Sequence, residues 1–228
     1  MNLPTPLNLI SAEVVACRAC PRLVAWREEV ARVKRAAFRD ESYWGRPIPS
    51  FGDPAGSILV VGLAPAAHGG NRTGRMFTGD RSGDWLYASL HRTGFANQPT
   101  ADHRDDGLRL TDLFIAAPVR CAPPTNKPTL EERDTCLSYL VRELPLLSKV
   151  EVIVALGSFA WDASIRAVVD AGADRPRPKP KFGHLAEAEL GRYKLLGCYH
   201  PSQQNTFTGK LTAEMTDAVF LRAREVAG

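Results

Sequence analysis

The sequence predicts an α/β fold: a three-layer α/β/α sandwich around a central, mainly parallel four-stranded sheet. Three observations carry that prediction. Four short runs, Ile58–Val61, Leu113–Val119, Val150–Leu156 and Tyr193–Tyr199, are almost continuously apolar, as strands buried on both faces are. Helix-length amphipathic stretches separate them, and strand–helix alternation is the pattern of a parallel sheet covered on both sides. The stretches after the first, second and last runs are rich in glycine, proline and polar residues, which suits ligand-binding loops at the carboxyl edge of such a sheet.

Ser11 is a candidate cap for a short helix ending near Cys17. Pro21 suits the first turn of a second helix, running to about Ala37 with Leu23, Trp26, Val30 and Val33 on one face. Arg22, Arg27, Arg32, Lys34, Arg35 and Arg39 make this helix basic. Residues 40–56 read as loop. A helix over Asp84–Arg92 ends at Gly94, and Thr129-x-x-Glu132 is a capping box opening another that carries Leu137, Leu140 and Val141. A further helix spans Phe159–Val169, and a last one covers Ala213–Val226. The basic, proline-rich segment Arg175–His184 reads either as an extended connector or as a contact for nucleic acid.

At 228 residues, 44% hydrophobic and 24% charged, the chain suits one domain spanning 1–228. A net charge of +4 and a pI near 8.9 favour a polyanionic partner without requiring one. No apolar run reaches membrane length, the first residues carry no basic n-region, and five cysteines in a chain this long are not a secreted disulfide scaffold. A cytoplasmic protein is expected.

Cys17 and Cys20 form C-x-x-C, and Cys121 and Cys136 form C-x14-C, while Cys198 lies inside a predicted strand as a small hydrophobe. A thioredoxin-like redox pair would follow a strand, and none precedes Cys17. The pair could be half of a metal site or a coincidence, and thiolates suit zinc and iron–sulfur clusters alike.

Three loops carry the chemistry. They are GLAPAAHGGNRTGRMFTGD from Gly62 to Asp80, CAPPTNKPT from Cys121 to Thr129, and HPSQQNTFTGKLT from His200 to Thr212. None is a Walker A loop or a G-x-G-x-x-G turn, so nucleotide binding lacks support. All three leave the same edge of the predicted sheet, where an active site is expected.

These loops, together with the four cysteines, resemble the family-5 uracil-DNA glycosylases over most of the chain; Gly70 departs from an expected alanine. The resemblance implies the uracil-DNA glycosylase-like form of the sandwich. It implies a monofunctional repair enzyme that flips uracil, and also hypoxanthine and xanthine, out of double-stranded DNA and hydrolyses the N-glycosidic bond. The partner would be duplex DNA containing deaminated bases, met by a monomer with no membrane involved. It implies a [4Fe–4S] cluster on Cys17, Cys20, Cys121 and Cys136, with a structural role.

By the same resemblance His200 hydrogen-bonds uracil O2 as negative charge grows there. Phe77 stacks on the flipped base, Asn126 contacts the base or helps position water, and Asn205 binds DNA or base. Gly62, Ala64 and Ala66 belong to the base-binding loop. Ala64 stands in place of the family-1 aspartate base, and Ala66 in place of the tyrosine that fences off bulkier bases. Asp80 is then the best carboxylate for the water or the sugar cation, with helix capping as the competing role, and Asp112 is a weaker candidate. No lysine is placed as a Schiff-base nucleophile, so no strand nicking is expected. Two alternatives stay open: a uracil-restricted family-4-like glycosylase, and a non-catalytic iron–sulfur or zinc DNA-binding module.

Overall fold

The computed structural model describes residues 4–228. The strands are β1 Phe51–Gly52, β2 Ile58–Val61, β3 Leu113–Ala116, β4 Val152–Leu156, β5 Glu187–Leu190 and β6 Tyr193–Cys198. The helices are α1 Pro6–Ala16, α2 Pro21–Val33, α3 Gly70–Thr73, α4 Arg81–Arg92, α5 Leu130–Glu143, α6 Ser158–Asp170, α7 Gln203–Phe207 and α8 Ala213–Val226.

The expected parallel strands form the middle of one sheet, ordered β3-β2-β4-β6, and two short antiparallel strands, β1 and β5, extend it to six. Alternate residues of each central strand serve opposite layers. Ile58, Val60, Leu113, Ile115, Val152 and Val154 pack with Leu86 and Leu90 of α4 and Val219 and Phe220 of α8. Leu59, Val61, Phe114, Ala116, Ile153 and Ala155 pack with Leu137 and Leu140 of α5 and Ala160 and Trp161 of α6. Strands buried on both faces explain why the runs are continuously apolar. They also place a divergence in the sheet. The chain leaving β2 goes to the α4 layer, and the chain leaving the adjacent β4 enters α6 on the other layer. A crevice opens between such strands at their carboxyl ends.

Three sequence expectations need correction. Thr5, not Ser11, caps the first helix, accepting from Asn8 N at 3.3 Å, with Pro6 at its first position; Ser11 lies inside that helix. The second helix ends at Val33, and its buried face is Leu23, Val24, Arg27 and Val30, which leaves Val33 62% exposed. The cations of α2 are also partly committed inside the protein: Arg22 bonds Glu132, Arg32 bonds Glu29, and Arg27 is buried. The capping box at Thr129 and Glu132 forms as expected, both of its hydrogen bonds being made. No helix among the described residues is long and apolar enough to cross a membrane.

Candidate active site

All three predicted loops meet at the crevice. They line one cavity of about 540 Å³ whose walls include Gly62, Ala64, Ala66, Phe77 and Asp80 from the first loop, Asn126 from the second, and His200, Ser202, Gln203 and Gln204 from the third.

The first loop is folded tightly. Ala66 O accepts from Gly69 N and Asn71 N, and the single turn of α3 ends at Gly74 in the left-handed region. Phe77 also has a positive φ, of 51°, uncommon for an aromatic residue and sustained only where neighbours over-determine it. Its neighbours do so. Tyr87 Oη donates to Met76 O at 2.9 Å, Arg75 Nε donates to Thr78 Oγ1 at 2.9 Å, and Thr73 Oγ1 donates to Thr78 O at 3.2 Å. Arg75 is itself fixed by Asp106, whose carboxyl lies far below the usual range because the buried guanidinium and backbone amides outweigh its desolvation. The ring of Phe77 lies against Gly62: a Cβ there would stand 2.7 Å from Phe77 Cζ.

Asp80 both caps α4 and lines the cavity. Its Oδ1 accepts from Gly83 N at 3.0 Å, and its Oδ2 rests against Gly69, where an added Cβ would come within 2.0 Å of it. Burial pushes its carboxyl above the usual range, opposed by the Gly83 and Ser82 amides. The capping and active-site positions thus coincide in one side chain.

His200 follows β6. Burial pushes its imidazole down to about 4, so the ring is neutral at physiological pH and carries one N–H donor. It faces Phe77 with ring centroids 6.5 Å apart. Its backbone carbonyl accepts from Ser202 N at 2.8 Å and from Asn205 Nδ2 at 2.9 Å. Asn205 is not among the residues lining the cavity. Its amide is used in holding the His200 turn.

Asn126 sits in a short turn where both it and Thr125 have positive φ, a conformation asparagine tolerates better than most residues. Ala66 lies where this cavity adjoins a second one of about 780 Å³ that also holds His68 and Arg72, with Asp80, Asn126 and Gln203 shared between the two. Asp112 is placed at the other end of the sheet. It precedes β3 and accepts from Ser57 N and Oγ at 2.6 and 2.8 Å; it is a brace, remote from the cavity. Ser202, Gln203 and Gln204 were missed as individuals, although they stand within the HPSQQNTFTG segment that marked the loop.

The other constellation is also brought together. Cys17, Cys20, Cys121 and Cys136 line one cavity of about 160 Å³, with Arg27, Arg120 and Tyr139 around them. Burial pushes the Cys121 thiol up to about 11 and Cys136 to about 12. Arg27 Nη1 donates to Cys121 Sγ at 3.0 Å, and Arg120 N donates to Cys136 Sγ at 3.3 Å. Four soft donors, two of them with hydrogen bonds already aimed at their sulfurs, fit a thiolate-bound metal centre. Among the described residues no three His, Cys, Asp or Glu side chains are grouped as ligands of a single ion. Cys198 is fully buried in β6, away from this cavity.

The segment Arg175–His184 is anchored on α6 and the end of β6. Trp161 Nε1 donates to Pro180 O at 3.1 Å, and Phe182 packs between Trp161 and Tyr199, the neighbour of His200.

Residues 49–224 match the model of the uracil DNA glycosylase superfamily. The chain is 57% identical over 221 residues to the type-5 uracil-DNA glycosylase of Mycobacterium tuberculosis, covering 96% of this chain and 81% of that one. It is 51% identical over 216 residues to the type-5 uracil-DNA glycosylase of Thermus thermophilus, covering 94% and 95%. The type-4 uracil-DNA glycosylase of Pyrobaculum aerophilum is similar over a shorter span, 34% identical over 116 residues and half of each chain.

Proposed function

This chain belongs to the uracil-DNA glycosylase superfamily, in its type-5 group, and on that premise we propose that it hydrolyses the N-glycosidic bond of uracil, and of larger deaminated bases, in duplex DNA. The observation that carries this reading is the cavity where three loops bring together a buried neutral imidazole, an aromatic platform and a carboxylate.

The base enters the cavity out of the helical stack and lies on Phe77. His200 donates its N–H to the carbonyl oxygen that becomes negative as the C1′–N bond breaks. A neutral donor suits this role, because it strengthens its hydrogen bond as charge develops without having carried a charge into a buried site. Asn126, from the second loop, offers amide groups to the base edge or to the water. Asp80 faces the sugar side, holds water and stabilises the cationic sugar; water oxygen bonds C1′, its proton passes to the carboxylate, and the base departs with the bonding electrons. The product is an abasic site with both strands intact. Alanine at position 66 leaves open the side towards the second cavity, so hypoxanthine and xanthine fit as well. Arg175, Arg177 and Lys181 of the basic, proline-rich segment are its candidate phosphate contacts.

The cysteine cavity fits an iron–sulfur cluster. Four cysteine side chains lining one cavity, two of them accepting hydrogen bonds at sulfur, are a donor set such a cluster uses. Cys17, Cys20, Cys121 and Cys136 would hold it. When bound, it supplies crosslinks that tie the turn between α1 and α2 to the loop after β3 and to α5.

Two measurements test this. A uracil-containing duplex treated with the protein is expected to yield free uracil and alkali-labile, unnicked strands; a nicked product or no product overturns the reading. Anaerobically purified protein is expected to contain iron and sulfide, with Cys198→Ala unchanged; stoichiometric zinc without sulfide overturns the cluster.

A further inference from the structure

Two buried arginines flank the cysteine cavity, and they are not alike. Arg120, 1% exposed, is neutralised: its Nη2 donates to Glu143 Oε2 at 2.5 Å and its Nη1 donates to Ser50 Oγ. Arg27, 2% exposed, has no such partner. Its nearest carboxylate oxygen, on Glu28, is 3.9 Å away, and that carboxylate is already held by Arg18. Its Nη2 donates to Cys17 O at 3.2 Å, its Nη1 to Cys121 Sγ at 3.0 Å, and its Nε has no partner among the described residues. A buried guanidinium without a carboxylate is costly. A neutral thiol, a weak acceptor, does little to offset that cost. A thiolate bound to a metal does far more, since four thiolates around a divalent ion or an oxidised cluster leave a net negative centre.

We propose that Arg27 is the internal counter-cation of the cysteine centre, and that it sets how firmly the centre is retained and, in a cluster, how readily it accepts an electron. This rests on the reading of the four cysteines as a metal site. The N–H···S bond and the positive charge act in the same direction: both stabilise the more negative, reduced state, so removing them moves the midpoint potential to more negative values.

The test uses the loaded, full-length protein. Wild type, Arg27→Gln, Arg27→Lys and the surface control Arg32→Gln are compared for metal and sulfide content, rate of metal loss to a chelator, and midpoint potential by protein-film voltammetry. Arg27→Gln is expected to lose its metal roughly tenfold faster or more, with a more negative potential. Arg27→Lys is expected between it and wild type, and Arg32→Gln at wild type. If Arg27→Gln does not fold by circular dichroism, Arg27→Lys carries the test alone, since it keeps the charge and loses the two-armed donor. Unchanged release and potential in folded, loaded Arg27 variants overturn the proposal while leaving the metal site standing. Wild type without bound metal overturns both, and is seen before any variant is made.

Discussion

Replacing Gly62 by alanine is expected to disable the site while leaving the fold intact. A Cβ at Gly62 would lie 2.7 Å from Phe77 Cζ and 2.9 Å from Cε2, while its next neighbour, Ala116 O, stands at 3.9 Å. Ordinary contact begins near 3.4 Å, so the ring has to retreat by about 0.7 Å or more. It cannot do so by a backbone adjustment, because Phe77 is held at positive φ between Met76 and Thr78, both buried and hydrogen-bonded. The displacement therefore falls on the platform that faces His200. Misplacement on this scale costs on the order of a hundredfold in rate, whereas overpacking costs about 1–3 kcal/mol of stability. The assay is single-turnover release of uracil from a duplex at enzyme excess, alongside thermal melting and DNA affinity. The double variant Gly62→Ala/Phe77→Leu isolates the cause, since leucine lacks the clashing Cζ; in the Phe77→Leu background the alanine is expected to cost little. Wild-type turnover in Gly62→Ala, or an equal penalty in both backgrounds, refutes the reasoning.

His200→Ala is expected to lower single-turnover release by on the order of a hundredfold or more, with a much smaller effect on DNA affinity. Because burial depresses the folded imidazole to about 4, the unfolded chain protonates first as pH falls; His200 thus contributes stability above the unfolded pKa of roughly 6.5 that is lost on acidification towards 4. Thermal melting of wild type is expected to fall more steeply than that of His200→Ala across that window, and parallel curves refute the assignment. Asp80→Asn keeps a good N-cap and removes the charge, so it is expected to melt near wild type yet lose most activity, whereas Asp80→Ala also loses about 1 kcal/mol; full activity in Asp80→Asn leaves only the cap. Ala66→Tyr is expected to suppress hypoxanthine release while sparing some uracil release, and an unchanged ratio of the two rates refutes the open-side argument.

What the sequence revealed of the fold followed from burial. The apolar run Ile58–Val61 became β2 with the expected ends, because a strand covered on both faces needs no information from its neighbours to be recognised. The edge strands escaped notice for the opposite reason. Phe51–Gly52 is two residues long, and Glu187–Leu190 is half glutamate with only Leu190 buried; each is a strand only because a neighbour offers it an antiparallel edge. Helix starts turned on local chemistry: Thr5-Pro6 was a stronger signal than Ser11, since proline favours the first helical position. Arg27 had a signal too, standing in the apolar stripe Leu23–Arg27–Val30 at helical spacing. A cation on that stripe implies a buried partner, yet only the assembled structure places Cys121 beside it.

The site divides along the same line. Motifs located the loops, so Gly62, Ala64, Ala66, Phe77, Asp80, Asn126 and His200 all reach one cavity. Which way each side chain turns is decided by short-range hydrogen bonds that a motif does not express. Asn205 is five residues beyond the cavity-lining His200, yet its amide closes on the His200 carbonyl. Asp112 adjoins a central strand, but at its amino end, where Ser57 takes both of its oxygens. Asp80 had two competing roles in the sequence, and the structure does not have to choose between them. The cap engages Oδ1 and thereby fixes the rotamer; the glycine at position 69 leaves room for Oδ2; and the raised affinity for protons that burial gives the carboxyl suits a group that must take one from water. Helix capping, which as a competing reading weakened the catalytic one, holds this carboxylate still, as the proposed catalytic role requires.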